Sequence, residues 1–585
     1  MQHLRHVVPY LRRHLWAIGI GFLAIAVATA FSVVQPEILR LAIDNLRTHP
    51  SLNKLTVYVG LFLAAAVGQS IFAFVQRSTV NRVSRYLEYD LRNDAFTHLQ
   101  SLDQGFFGEM HTGDLMARLT NDLNQVRQFV GMGMISLIST FIMLISVAVL
   151  MVIINWKLAL VAFVVLPFCT VTMFVIGRTL QRRFRLVQDQ FGQLSNHAQE
   201  NFSGIRVVKA FVQEDREIGA FSKVNREYVQ RNLSYQRLSG IMWPLMFTVV
   251  GVALALVLFV GGGEVARNEI SLGEFVQFNA YLGMLTWPMI SLGWVINMYQ
   301  QGAASMGRIM EVMSREASIR DTGRTLPISR LQGKIEFRNV AVRYGDTPVL
   351  HNVSFTVEPG HTVAIVGMTG VGKTTLMSLV PRVLEVDDGE VLIDGVDVRR
   401  IPLATLRRAV GYVPQDTFLF SATLGENVSF GVQEFTEDEM MQAIETSRLV
   451  KDLEQFQFGL ETVVGERGVS LSGGQKQRTS LARAVMRDPT ILILDDAMSS
   501  VDTHTQNEIL ARLKKVMEER TTLITSMRIS TVKDADSIIV LEDGTIKERG
   551  THQELLMHNG LYARMYRREL LQQELEVEDD QEALV

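Results

Sequence analysis

The chain has one cysteine, Cys169, in 585 residues. A single thiol excludes an intramolecular disulfide and a cysteine-based zinc site. Glycine and proline number 43 and 13, too few for a collagenous or low-complexity chain. An excess of either charge is also missing: Lys and Arg total 57, Asp and Glu 61, net −4. No bulk basic field exists to hold a nucleic acid, so no nucleic-acid partner is expected. Mean hydropathy is +0.16 although 20% of residues are charged. The apolar residues must therefore be clustered.

They lie in long runs. Residues 15–36, 55–76, 241–263 and 275–307 contain no Asp, Glu, Lys or Arg. Residues 131–176 carry one charge, Lys157, beside Asn155 and Trp156. A bilayer core takes about 20 apolar residues per helix, so the pattern predicts six transmembrane helices. The Asn-Trp-Lys break reads as a tight loop between two of them. Arg12 and Arg13 followed by Ala-Val-Ala-Thr-Ala resemble a secretory signal. The apolar run continues past that site and five further spans follow, so cleavage is not expected.

The loops set the orientation. Residues 77–130 and 177–240 are long and rich in arginine, including Arg77, Arg82, Arg85, Arg92, Arg178, Arg182, Arg183 and Arg185. The positive-inside bias and the even span count place these segments and both termini in the cytoplasm of a multi-pass protein of the cell inner (cytoplasmic) membrane. Both segments read as helices continuing below the membrane, with turns at Gly105–Gly113 and Ser203–Gly204. Residues 3–13 suit a short amphipathic interfacial helix.

Composition changes near residue 310. The reading is a membrane domain over 1–310, a polar linker over 311–332, a soluble α/β domain over 333–570 and an acidic, solvated tail over 571–585. The α/β domain opens on an alternating strand, Lys334-Ile-Glu-Phe-Arg-Asn-Val. Further on, Thr362-Val-Ala-Ile-Val leads into Gly367-Met-Thr369-Gly370-Val371-Gly372-Lys373-Thr374, and Thr375-Leu-Met-Ser-Leu-Val follows. Strand, glycine loop and helix in that order form a phosphate loop. Its backbone N–H groups converge on phosphates, Lys373 reaches the β- and γ-phosphates, and Thr374 suits Mg²⁺. Ile491-Leu-Ile-Leu-Asp495 is an apolar strand ending in an acid, the place of an Mg²⁺-side carboxylate.

Between these two lies Leu471-Ser472-Gly473-Gly474-Gln475. This pentapeptide resembles the signature of ATP-binding-cassette (ABC) ATPases. Further marks agree: Tyr344 for stacking on adenine, Gln415 in Tyr-Val-Pro-Gln-Asp as the Mg²⁺-sensing loop glutamine, Gly465-Glu466-Arg467-Gly468 as the exporter loop, and Ser499-Ser-Val-Asp502 as the loop crossing a dimer interface. With the preceding spans, residues 1–570 resemble a half-size ABC exporter of the bacterial heterodimeric multidrug type. The resemblance implies a helical membrane domain fused to an α/β P-loop NTPase domain, with coupling helices near 105–113 and 201–213. It implies MgATP bound by Tyr344, Gly367, Thr369, Gly370, Val371, Gly372, Lys373, Thr374, Thr375, Gln415 and Asp495. Thr374, Gln415 and Asp495 take the Mg²⁺, the last through water. Ser472, Gly473, Gly474 and Gln475 would complete the opposite site of a dimer.

Two positions depart from the family pattern. Asp496 stands where the consensus has a glutamate base. It is one methylene shorter, about 1.5 Å of reach, and misplacement on that scale costs about a hundredfold in rate. Met527 stands where the consensus has histidine, and a thioether cannot donate to phosphate oxygens. The resemblance thus implies the subunit with a degenerate site, which binds ATP and turns it over slowly. An intact signature would serve a second half-transporter that carries Glu and His, the main seat of hydrolysis.

The cargo is less legible. Phe278, Tyr281, Met284, Trp287, Met289 and Trp294, with Gln277, Asn279 and Asn297, suit adaptable binding of hydrophobic molecules, and ordinary helix packing explains them too. Contact with membrane lipids follows from the spans. No peptidase-like stretch precedes the first span, so a leader-cleaving exporter is not expected. The alternatives are a dedicated lipid flippase and a membrane regulator that senses ATP without pumping. The intact signature speaks against the latter.

Overall fold

The computed structural model describes residues 3–48, 51–321, 323, 325–465 and 471–582. Glu466, Arg467 and Gly468 of the exporter loop, residues 322 and 324 of the linker, and 583–585 of the tail lie outside them. Contacts divide the chain into two compact units. One comprises Met1–Gln100 with His111–Arg315; the other joins Ser101–Met110 to Glu316–Val585.

The first unit is helical because its apolar runs must satisfy their backbone groups internally. In chain order come α1 (Leu15–Thr48), α2 (Leu52–Ser101), α4 (Thr112–Ile154), α5 (Trp156–Ser203), the short α6 (Ile205–Ala210), α7 (Glu214–Ala266) and α8 (Leu272–Met313), while the short α3 (Gln104–Glu109), between α2 and α4 in the chain, belongs to the second unit. Among the described residues, α1, α2, α4 and α7 are long and apolar enough to cross a membrane. A shorter apolar stretch, Trp156–Val165, opens α5. Helix α8 is not among the four, and its charge-free run is diluted by Gln277, Asn279, Asn297, Gln300 and Gln301. Prolines 36, 167, 244 and 288 lie inside long helices, which membrane helices tolerate where neighbours re-satisfy the backbone.

The break between α4 and α5 is one extended residue, Asn155, whose side chain accepts the N–H groups of Lys157 and Leu158. Its amide donates to Glu264 at 2.7 Å. Two π-turns, Arg118–Asp122 and Phe129–Gly133, interrupt α4. At the first, buried Asp122 accepts from Ser305 Oγ at 2.8 Å and Arg308 Nε at 2.9 Å. Helix α8 opens with a capping box, Ser271 and Glu274. Asp44 of α1 reaches over it, accepting from Gly273 N at 2.9 Å and Ser271 Oγ at 2.7 Å. A Cβ on Gly273 would stand 2.6 Å from the Arg40 carbonyl, so that approach requires glycine. Before α1, residues 3–12 form short helical turns. Their apolar side packs on the protein: Val7 is buried with Leu87, Leu123 and Met306.

The second unit is built on two sheets. Its elements are β1 (Ile335–Tyr344), β2 (Thr347–Val357), β3 (Thr362–Val366), α9 (Lys373–Leu379), β4 (Asp388–Ile393), β5 (Val396–Asp397), β6 (Val410–Val413), α10 (Gly473–Met486), β7 (Ile491–Asp495), α11 (Thr503–Met517), β8 (Thr521–Thr525), β9 (Ser537–Glu542), β10 (Thr545–Gly550) and α12 (Leu561–Glu582). The antiparallel sheet runs β2-β1-β4-β5 and the larger one β10-β9-β3-β8-β7-β6. Strands β3, β6, β7, β8 and β9 are mutually parallel where they pair. They are buried on both faces, as strands of a covered parallel sheet are. A separate cluster around Leu424, Ile444, Leu449 and Ala482 forms a helical subdomain between β6 and α10. The acidic stretch from 571 continues the backbone of α12 as far as Glu582.

Candidate nucleotide site

Register brings the site together. Parallel β3, β8 and β7 are neighbours, and Asp495 at the end of β7 lies opposite Thr525 at the end of β8. The loops leaving these three strands therefore share one edge, where ligands bind in open α/β sheets.

The glycine loop leaves β3. A Cβ on Gly367 would meet the Leu541 carbonyl at 2.5 Å. Gly372 has φ +98°, and a Cβ there would meet Leu350 at 2.7 Å. Both positions need glycine for space, and Gly372 needs it for its backbone as well. Lys373 opens α9 and is buried. Its ammonium donates to the Gly367 carbonyl at 2.8 Å and the Met368 carbonyl at 2.9 Å, which holds it over the loop. Burial lowers its pKa, opposed by the charges of Asp496 and Asp495. Thr374 is exposed and Thr375 is buried.

Asp495 is 1% exposed. Its Oδ1 accepts from Thr525 Oγ1 at 2.6 Å, and its Oδ2 is buried and accepts no hydrogen bond of normal length among the described residues. A buried carboxylate oxygen with no hydrogen bond of normal length has room for a cation or its water, so Asp495 fits an Mg²⁺ shell. Tyr412 faces the same carboxylate. Burial pushes its hydroxyl up to about 12, so it stays protonated.

Asp496 follows with φ +47°, a left-handed bend that aspartate tolerates better than most residues. Its N–H donates to the Thr525 carbonyl at 3.1 Å and to Thr525 Oγ1 at 3.0 Å. Burial raises its carboxyl above the ordinary range; Lys373 opposes this and Asp495 adds to it. Met527, 49% exposed, accepts a weak hydrogen bond from Thr369 Oγ1 at 3.7 Å. Asp496, Ser499, Gln506, Met527 and Arg528 share a cleft of about 200 Å³.

The other expected residues stand apart. Tyr344 ends β1 and is 54% exposed. Gln415 is exposed in the loop after β6. Ser472 caps α10: its Oγ accepts from Gln475 N at 3.3 Å, and Gln475 Oε1 accepts from Ser472 N at 2.9 Å. Gln475 Nε2 donates to Asp452 at 3.3 Å, so its amide is committed to the fold. Ser472, Gly473 and Gly474 sit at the exposed or half-exposed start of α10. No signature residue lines the 200 Å³ cleft. Thr525 and Tyr412 were not among the expected site residues. Both face Asp495 only through strand register, which no local motif records.

Two families match the chain. The ABC transporter transmembrane region matches residues 18–289, and the ABC transporter family matches residues 350–499. The chain is 38% identical to the probable multidrug resistance ABC transporter ATP-binding/permease protein YheI of Bacillus subtilis, over 94% of this chain and 95% of the relative. It is 33% identical to an ATP-dependent lipid A-core flippase of Syntrophus aciditrophicus, over 97% and 94%. In structure it resembles a bacterial Atm1-family ABC exporter solved with ATP bound, with a TM-score of 0.79 and 27% identity over 97% of this chain and 98% of that one.

Proposed function

The chain belongs to the ABC exporters with fused membrane and nucleotide-binding domains, and on that premise we propose that it is one subunit of a heterodimeric exporter whose own ATP site is impaired. The observation that carries this reading is the pair Asp496 and Met527. Both lie by the glycine loop, where a base and a γ-phosphate donor are needed: Met527 accepts from Thr369 Oγ1 at 3.7 Å and the charge of Lys373 acts on Asp496. One offers a carboxylate a methylene short of the usual base and the other offers no donor.

The remaining machinery suits binding. Gly367, Thr369, Gly370, Val371, Gly372, Lys373, Thr374 and Thr375 cradle the phosphates of ATP, and Tyr344 stacks on adenine. Mg²⁺, when bound, neutralises phosphate charge, with Thr374, Gln415 and Asp495 as the residues to hold it. Lys373 is already seated over the loop by two carbonyls, ready to turn its ammonium to phosphate oxygens. Ser472, Gly473 and Gly474 at the start of α10 serve the site of the second half-transporter, where their hydrogen bonds stabilise the transferring phosphoryl group.

The cargo is a hydrophobic or amphiphilic compound moved across the cell inner membrane, with six spans and cytoplasmic termini. A lipid cargo is the second reading, favoured by the identity to a lipid A-core flippase. The test is ATP hydrolysis by the purified chain alone and together with a candidate partner. Near-silence alone, activity in the pair and loss of that activity on Ser472→Ala are expected. Hydrolysis by the chain alone at the rate of the pair overturns the heterodimer reading.

A further inference from the structure

Asp495 has two carboxylate oxygens in different surroundings. Oδ1 is taken by the Thr525 hydroxyl at 2.6 Å, while Oδ2 is buried and accepts no hydrogen bond of normal length among the described residues, with the Tyr412 hydroxyl facing the same carboxylate. The same hydroxyl oxygen accepts the Asp496 N–H at 3.0 Å. A threonine hydroxyl has one proton and two lone pairs. Its proton goes to the carboxylate, so its oxygen is free to take the amide. Thr525 is itself immobile: it is 1% exposed, ends β8, and is paired with Asp495 across the parallel ladder. As a β-branched residue it has few accessible rotamers. One rigid hydroxyl therefore joins the expected Mg²⁺-side carboxylate to the left-handed bend, φ +47°, that carries the residue at the base position.

We propose that Thr525 is a positioning residue of this nucleotide site: it fixes the rotamer of Asp495 so that Oδ2 alone faces the Mg²⁺ shell, and it pins the Asp496 backbone in the bend that turns its carboxylate into the cleft. The inference rests on the reading of this site as one that binds MgATP. Removing the hydroxyl frees Asp495 to rotate and leaves the Asp496 amide with only its bond to the Thr525 carbonyl. Losing an outer partner of a metal-side carboxylate typically costs about 10- to 100-fold in metal affinity.

The experiment measures binding of a fluorescent ATP analogue to the full-length chain, in EDTA and across an Mg²⁺ titration. Lys373→Ala serves as the control for the site itself. If Lys373→Ala leaves binding intact, the nucleotide-site reading fails, independently of Thr525. With that control satisfied, Thr525→Val is expected to bind the analogue in EDTA within about twofold of the native chain. Its apparent Mg²⁺ affinity should fall about tenfold, and Thr525→Ser should restore it. Mn²⁺ in place of Mg²⁺ gives a second readout, an altered electron paramagnetic resonance spectrum in Thr525→Val that Thr525→Ser reverses. Unchanged Mg²⁺ dependence in Thr525→Val overturns the proposal, as does an equal loss of binding in EDTA that serine does not rescue. Where the valine chain is not recovered folded, Thr525→Ala removes the same hydroxyl without the crowding methyl group and carries the same expectation.

Discussion

At Asp496 chain geometry and electrostatics act in opposite directions: the short side chain limits reach, while a raised pKa makes a carboxylate the stronger base. Its side chain is one methylene shorter than glutamate, its backbone is bent to φ +47°, and burial holds its carboxyl above the ordinary range. A raised pKa means that the anion needed by a base forms only above the usual 3.8. Any turnover that depends on Asp496 therefore rises with pH across a window lying above that value, and is lost as pH falls back through it. Replacing Asp496 with Glu and Met527 with His together restores reach and a phosphate donor. ATP turnover by the purified chain is expected to rise about tenfold or more, within the range of one general base. An unchanged rate overturns the reading that these two residues limit hydrolysis at this site. Both were legible in the sequence because they sit at fixed offsets from the strand end at Asp495 and from Thr525-Ser526. Thr525 itself was not, because its role depends on which strand lies beside β7.

The short helices show how far local chemistry reaches. Glycines at 105, 108 and 113 and the Ser203–Gly204 pair are visible breaks, and α3 and α6 form there. The sequence does not reveal that Ser101–Met110 belongs with the second unit. Asp103 carries part of that attachment. It caps α3 by accepting from Phe106 N at 3.2 Å, and it accepts from Ser318 Oγ at 2.6 Å and Ser318 N at 3.2 Å. Burial pushes its carboxyl up, but the Ser318 and Phe106 bonds outweigh this, and the net shift is downward from 3.8. The tether is therefore fully present at neutral pH and is lost as pH falls through that lowered value. Asp103→Ala removes all three acceptor contacts, at a cost of about 1 kcal/mol for the cap. Amide exchange in α3 should quicken roughly fivefold relative to β3 in the same chain. Equal exchange in the native and Asp103→Ala chains rules out the tether. The π-turns of α4 were equally invisible: the hydrophobic period continues through them, and only Asp122 meeting Ser305 and Arg308 marks the first.

On the scale of the whole chain, the composition change near residue 310 foretold a membrane part and a soluble part, because a bilayer and water select opposite residues. Oligomeric state has no such signature, yet the surface bears on it. Around α6 the large apolar side chains of Phe202, Ile205, Val207, Phe211 and Val212 are all exposed, Phe211 at 71% and Val212 at 80%. They lie beyond the charged, arginine-rich stretch from Arg178 to Arg185 and not within the apolar runs, so lipid does not account for them. On the proposed heterodimer reading, this cluster of exposed apolar residues flanked by charge is a candidate protein contact. The occupant consistent with the proposed heterodimer is the ATPase domain of the second half-transporter. Phe211→Glu tests this without touching either nucleotide site. Binding of an ATP analogue by the isolated chain should stay within about twofold of native. Transport-coupled ATP hydrolysis by the assembled pair should fall about tenfold or more, as expected when truncation of a central aromatic anchor costs 2 kcal/mol or more. Undiminished hydrolysis in the Phe211→Glu pair would mean that this apolar tip is not the contact that links the two subunits.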